Sequence, residues 1–143
     1  MKQGVYVFTI IGLIGSFIAS LFGGWDNAMT TLFIFMGIDY VSGIIVAGVF
    51  HTSPKTKHGS LDSKTGWKGL CKKGMILIFV LIGHRLDIML VTDYIRNAVI
   101  IGFCANELIS IIENAGLMGV PIPAVIINAI EVLKEKSSKK EVE

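Results

Sequence analysis

The stretch VYVFTIIGLIGSFIASLF, residues 5–22, carries no charged side chain, and the charge-free run extends from Gln3 to Trp25. A helix rises ~1.5 Å per residue and the hydrocarbon core of a bilayer is about 30 Å thick, so about 20 apolar residues suffice to cross it. A buried helix of a soluble domain seldom runs that long without a polar face. The residues leaving this segment, Ala19 to Trp25, offer no small-x-small cleavage pattern, and further apolar runs follow. The segment therefore reads as a retained membrane span and not as a cleaved leader.

The rest of the chain agrees. Of 143 residues 52% are hydrophobic and only 17% charged, so one small membrane-embedded unit over residues 1–136 is expected, with no separate catalytic module. A second apolar run, residues 28–50, is broken only by Asp39 and Tyr40 and follows the tight connection Gly23-Gly24-Trp25-Asp26-Asn27. This predicts a helical hairpin with Trp25 at an interface. A third run, 74–91, contains His84, Arg85 and Asp87, and a fourth, 95–113, contains Arg96, Asn106 and Glu107. Each must hold ionisable groups at some depth, and a re-entrant or interfacial pair is the alternative. The expectation is an all-α membrane protein with about four transmembrane helices, three being possible. Beyond them Pro121 and Pro123 open a segment, 122–136, in which Ile122, Val125, Ile126, Ile130 and Leu133 recur at helical spacing, an amphipathic interfacial helix. Residues 137–143 read as a charged, disordered tail.

Charge is unevenly placed. Lys55, Lys57, Lys64, Lys68, Lys72 and Lys73 fall in one polar stretch, 51–73, opposed there only by Asp62. Positive charge marks the cytoplasmic side of short loops, so this basic loop and, with four spans, both termini are expected in the cytoplasm. The loop also favours anionic lipid over nucleic acid. Cys71 and Cys104 lie at different depths and are not expected to pair.

A carboxylate at mid-membrane costs about 2.5 to 3.5 kcal/mol on insertion scales, so Asp39 requires a partner, a proton or water. Counted from the ends of the basic loop, Asp39 and Arg85 stand at similar depth on antiparallel neighbours, which suggests a pair; bonding to nearby backbone, or protonation, is the alternative. His84 and Asp87 stand at i, i+3, as local partners or as a proton relay. Asn106, Glu107, Ser110, Glu113 and Asn114 form one polar stripe along the fourth segment, facing water, a channel or a polar helix, or else lying at the cytoplasmic interface. Small residues line the first segment in two rows, Gly12, Ser16 and Ser20 beside Gly15, Ala19 and Gly23, answered by Gly43 and Ala47 on the second. Such rows let backbones approach, either within the hairpin or between copies. His51, His58 and His84 make no metal-ligand spacing, no glycine loop cradles a phosphate, and no nucleophile has a base at useful spacing, so neither catalysis nor a cofactor is expected.

In order, the blocks Gly23 to Asp26, Phe35 to Gly43, Ser63 to Lys73, Asn106 to Gly116 and Gly119 to Pro123 resemble the holin family of phage lysis and toxin secretion. The resemblance covers nearly the whole chain, and the polar stripe leading into Gly-Val-Pro-Ile-Pro is its most specific part. It implies a small protein of the bacterial cytoplasmic membrane that self-associates into a homo-oligomer and opens lesions. Through these an endolysin reaches the wall, or a toxin leaves the cell; the family brings no catalytic residues. A small ion or solute transporter using Asp39, Arg85 and Glu107, and an anchoring subunit docking a partner on the basic loop, are the competing readings.

Overall fold

The computed structural model describes residues 2–139 and is all helical over them. Five α-helices follow in order: α1 (Lys2–Leu21), α2 (Asn27–Ile45), α3 (Ser63–Leu90), α4 (Ile95–Leu117) and α5 (Ala124–Lys139). A π-helical turn, Val46–Phe50, prolongs α2 and ends at His51, whose positive φ of 53° reverses the chain. Among the described residues three stretches are long and apolar enough to cross a membrane: Gln3–Leu21, Asn27–Phe50 and Ile95–Leu117. The chain is an all-α membrane protein. The third expected span differs in kind, because α3 carries Lys73, Arg85 and Asp87 along its length and starts eleven residues before the expected Gly74.

That early start corrects the expected basic loop. Asp62 caps α3, its carboxylate accepting the backbone N–H groups of Lys64 and Thr65 and the Thr65 hydroxyl at 2.6 Å. An Asp cap of this kind satisfies donors that a helix start otherwise leaves orphaned. Only residues 51–62 form the loop, and Lys64, Lys68, Lys72 and Lys73 belong to the helix. At the other end of the chain, α5 continues through Lys139, so residues 137–139 of the expected tail are helical; residues 140–143 lie outside the described residues.

α4 packs against α2, α3 and α5, and it is the centre of the bundle. The dry core between α2, α3 and α4 is Met29, Leu32, Met36, Val80, Ile100 and Cys104. In a bilayer such helices gain little from excluding water and rely on close contact. Gly83 supplies it: a Cβ there would stand 3.1 Å from the Arg96 Cα, so α3 and α4 meet backbone to backbone. α5 packs on α4, and Ile130 is its one buried side chain among the residues whose burial is described.

α1 stands apart. From Gln3 to Ser20 every side chain but Ala19 is exposed, and a Cβ at Gly12 or Gly15 would meet nothing within 4 Å. The small-residue rows of α1 are therefore not a seam within the hairpin. Gly43 and Ala47 pack elsewhere: Ala47 is buried, and a Cβ on Gly43 would stand 3.8 Å from the Asn114 amide.

Candidate functional site

The buried polar groups gather in two clusters at different levels of the bundle. In the first, Lys73 on α3 donates to Asp39 Oδ2 on α2 at 2.8 Å and to Glu107 Oε2 on α4 at 2.5 Å. All three side chains are about nine-tenths buried, with 9–11% of their surface exposed. Asn114, two turns further along the same face of α4, donates from Nδ2 to Asp39 Oδ1 (3.3 Å), to the Asp39 carbonyl (3.3 Å) and to Ser42 Oγ (2.8 Å). The Ser42 hydroxyl itself donates to the Asp39 carbonyl at 3.1 Å. One ammonium is thus shared by two carboxylates, and three helices are tied at one point.

The local sequence explains why Lys73 faces inward while its neighbour Lys72 faces out. Gly66, Gly69 and Lys73 stand at i, i+3 and i+7 on one face of α3. The glycines leave room for the Tyr40 ring, whose hydroxyl would lie 3.6 Å from a Cβ on Gly66, and this brings α3 close enough to α2 for Lys73 to reach Asp39.

Above this triad opens a cavity of 440 Å³, walled by Tyr40, Asn106, Ser110, Glu113 and the loop residues Ser53, Lys55, Thr56 and Leu61. Lys72 lies at its rim. The Thr56 hydroxyl oxygen is buried there and has no hydrogen-bond partner. Below the triad the apolar core closes the bundle. The expected polar stripe of α4 is therefore divided, with Glu107 and Asn114 buried against α2, Ser110 half-buried beside them, and Asn106 and Glu113 exposed on the wall of the cavity.

The second cluster holds the α1–α2 turn against the α3–α4 turn. Arg96, 7% exposed at its side chain, donates to Asp26 Oδ2 at 2.7 Å and Asp26 Oδ1 at 3.3 Å. It also donates to the Gly24 carbonyl at 3.2 Å and, through Nε, to the Phe22 carbonyl. The guanidinium fork makes this multidentate grip, which a lysine could not reproduce. The guanidinium beside Asp26 holds its carboxyl below the usual value of 3.8, and the Met29 N–H on the same carboxylate acts in the same direction. Asp87 accepts the N–H groups of Ile95 (2.9 Å) and Arg96 (2.8 Å) and the Thr92 hydroxyl (2.7 Å). It caps α4 from the end of α3.

Two expected pairs are corrected by this geometry. Asp39 pairs with Lys73 and not with Arg85, which is exposed. The depth count assumed a helix beginning at Gly74, and α3 begins at Ser63. Asp87 is occupied by backbone N–H groups and not by His84, which lies instead against Gly23, where an added Cβ would come within 2.7 Å of Nδ1. Gly23 has a φ of +80°, so both its backbone and its neighbour require glycine. Arg96 was legible only as an interruption of an apolar run; the acidic turn carrying Asp26 was the available sign of its partner.

A bundle with buried charge, a one-ended polar cavity and a detached apolar helix is what known proteins can now be set against. The bacteriophage holin family model matches residues 16–135. The chain belongs to the bacteriophage holin family. Among its relatives is the Listeria monocytogenes protein Lmo0128, 41% identical over 94% of this chain and 90% of the relative. A Clostridium perfringens protein described as a 14.9 kDa protein in the nagH 3' region is 34% identical over 86% of this chain and 89% of its own length. A probable holin of Bacillus phage phi105 is 31% identical over 72% of this chain and 71% of its own. No solved structure matches the chain.

Proposed function

We propose that this holin permeabilises the bacterial cytoplasmic membrane by assembling as a homo-oligomer whose copies turn their buried polar groups toward a common water-filled opening. The observation that carries this reading is the Asp39–Lys73–Glu107 triad with Asn114 and Ser42. These are five polar side chains hidden inside a bundle whose outer surface is largely apolar. Charge buried in hydrocarbon is costly and marks function in membrane proteins. While the three helices stay closed, the polar face is satisfied internally; once many copies separate α2, α3 and α4, the same groups can be wetted. The protein acts without catalysis, as a physical opening.

In this reading α1, α2, α3 and α4 all cross the bilayer. The Asp26–Arg96 end lies outside, and the loop 51–62, the lysines of α3 and both termini lie in the cytoplasm; the placement of the lysines supports this orientation. The cargo is an endolysin moving to the wall, with no direct contact between the two proteins needed. The test is induced expression in a bacterium, followed by growth, membrane potential and release of a co-expressed muralytic enzyme. Delayed, abrupt depolarisation with enzyme release is expected; unimpaired growth with correctly inserted protein overturns the reading.

A second reading, a small cation or solute channel, is favoured by the 440 Å³ cavity that leads from one end of the bundle to the triad. It requires saturable, selective flux in reconstituted vesicles. Leakage of dyes of several sizes excludes it.

A further inference from the structure

The outer face of α3 is short of apolar surface. Lys72 and Arg85 are both exposed, and between them the outward side chains are apolar, among them Met75, Ile78, Phe79 and Ile82, each 43–48% exposed. Twelve residues stand between the two charges, and the thirteen steps from one to the other are about 20 Å of helix. The neighbouring helices differ. α1 is free of charge over the 19 residues from Gln3 to Leu21, about 28 Å. On α2 the outward apolar row runs from Phe33 to Phe50, about 25 Å, without interruption by an exposed charge. A bilayer core is about 30 Å thick.

The two ends of the α3 strip are set differently. Beyond Lys72 the face stays basic, with Lys68 and Lys64 exposed and Trp67 68% exposed beside them. That combination suits a layer of phosphate headgroups, where indoles and lysines gather. Beyond Arg85 the face is apolar again, with Leu86, Met89 and Val91 exposed. Gly83 meets Arg96 and His84 meets Gly23, so Arg85 stands near the level of the α1–α2 turn, and it is the Lys72 end that shortens the strip: Lys73 meets Asp39, eleven residues before the α2 row ends at Phe50. Among the described residues Arg85 has no ion-pair partner. Arginine and lysine extend their heads toward the nearest phosphates, which lengthens the effective strip to that of a thin bilayer.

We propose that the outer face of α3 binds a locally thinned belt of phospholipid, with phosphates at the levels of Lys72 and Arg85. A strip shorter than the hydrocarbon core is accommodated by thinning of the bilayer around it. The thinning is one-sided, since α1 and α2 present longer strips. The inference rests on α3 crossing the bilayer with α2 and α4, and it is independent of whether the protein makes lesions.

The full chain reconstituted in vesicles tests it. Brominated short-chain monounsaturated phosphatidylcholine competes with unbrominated long-chain lipid, and quenching of Trp67 is read in a Trp25→Phe background. The expected result is several-fold preference of the Trp67 surface for the short-chain lipid. Trp25, read in a Trp67→Phe background, shows no such preference. Lys72→Leu lengthens the strip by one turn, to Lys68, and it shifts the preference toward longer chains. Equal binding of both lipids by the original protein, or a preference that Lys72→Leu leaves unchanged, overturns the proposal. So does an absence of lipid quenching at Trp67, which would place α3 outside the bilayer or under a second copy of the chain. Dye leakage from the same vesicles, read separately, reports on permeabilisation.

Discussion

Replacing Lys73 with methionine keeps the stem and removes the cation that Asp39 and Glu107 share. The sum of its two hydrogen bonds places the facing carboxylate oxygens at most about 5 Å apart, in a site where each side chain is about 90% buried. Two like charges at that distance repel by about 3 kcal/mol at an effective dielectric of 20. The loss is therefore about 3 kcal/mol, at the lower end of the range found when one partner of a buried pair is removed. Glu107→Gln behaves differently, because it leaves a neutral Asp39–Lys73 pair, and it should cost no more than about 1 kcal/mol. The assay is reversible unfolding in mild detergent, followed by helical circular dichroism. Lys73→Met combined with Asp39→Asn and Glu107→Gln should recover most of the loss. If Lys73→Met unfolds with the original protein, or if Glu107→Gln is the more damaging change, the triad does not hold the bundle as described.

Three further outcomes are expected. Asp26 is held below its usual value by Arg96, so its contribution is fully present above pH 3.8 and fades as acid takes the pH down through the lowered value. Because half of its side chain is exposed, the effect should be under about 1 kcal/mol, read as the difference between the original protein and Asp26→Asn in unfolding from pH 7 to pH 3. Gly83→Val pushes a side chain into the Arg96 backbone and should destabilise by about 1 to 3 kcal/mol, whereas Gly74→Ala, with open space around it, should not destabilise measurably. Gly12→Leu and Gly15→Leu should leave the stability of the single copy unchanged, since nothing lies near either position, but should weaken crosslinking between copies and delay killing if α1 is the assembly surface.

The membrane character and the helices α1, α2 and α5 could be read from runs of apolar residues, which register in any window of the sequence; that α1 stands apart from α2 could not. Asp39 could be recognised as a residue in need of a partner, because its cost in hydrocarbon is a property of the residue alone. Its partner could not be found by the same means. Lys73 stood at the end of a lysine-rich stretch, and composition assigned it to a loop; only the Asp62 cap with Thr65 three residues on marked the true start of α3. With that start, Gly66, Gly69 and Lys73 fall on one face, and the inward lysine becomes visible. Arg96 was hidden for another reason: beside Asp26 it binds two backbone carbonyls of a turn seventy-odd residues away, and these leave no mark in the sequence.

The triad also has an order in time. Asp39, Lys73 and Glu107 are spaced at equal intervals of 34 residues, so they leave the ribosome one after another. At roughly 5 to 20 residues per second, each waits a few seconds for the next. Asp39 is made first and without a partner; α3 then supplies the neutralising Lys73, and only the last long helix brings the surplus negative charge. The Arg96 clamp on the first turn closes in that same final step, 70 residues after Asp26 was made. A chain interrupted before α4 would therefore lack both the Arg96 clamp and the surplus negative charge of Glu107.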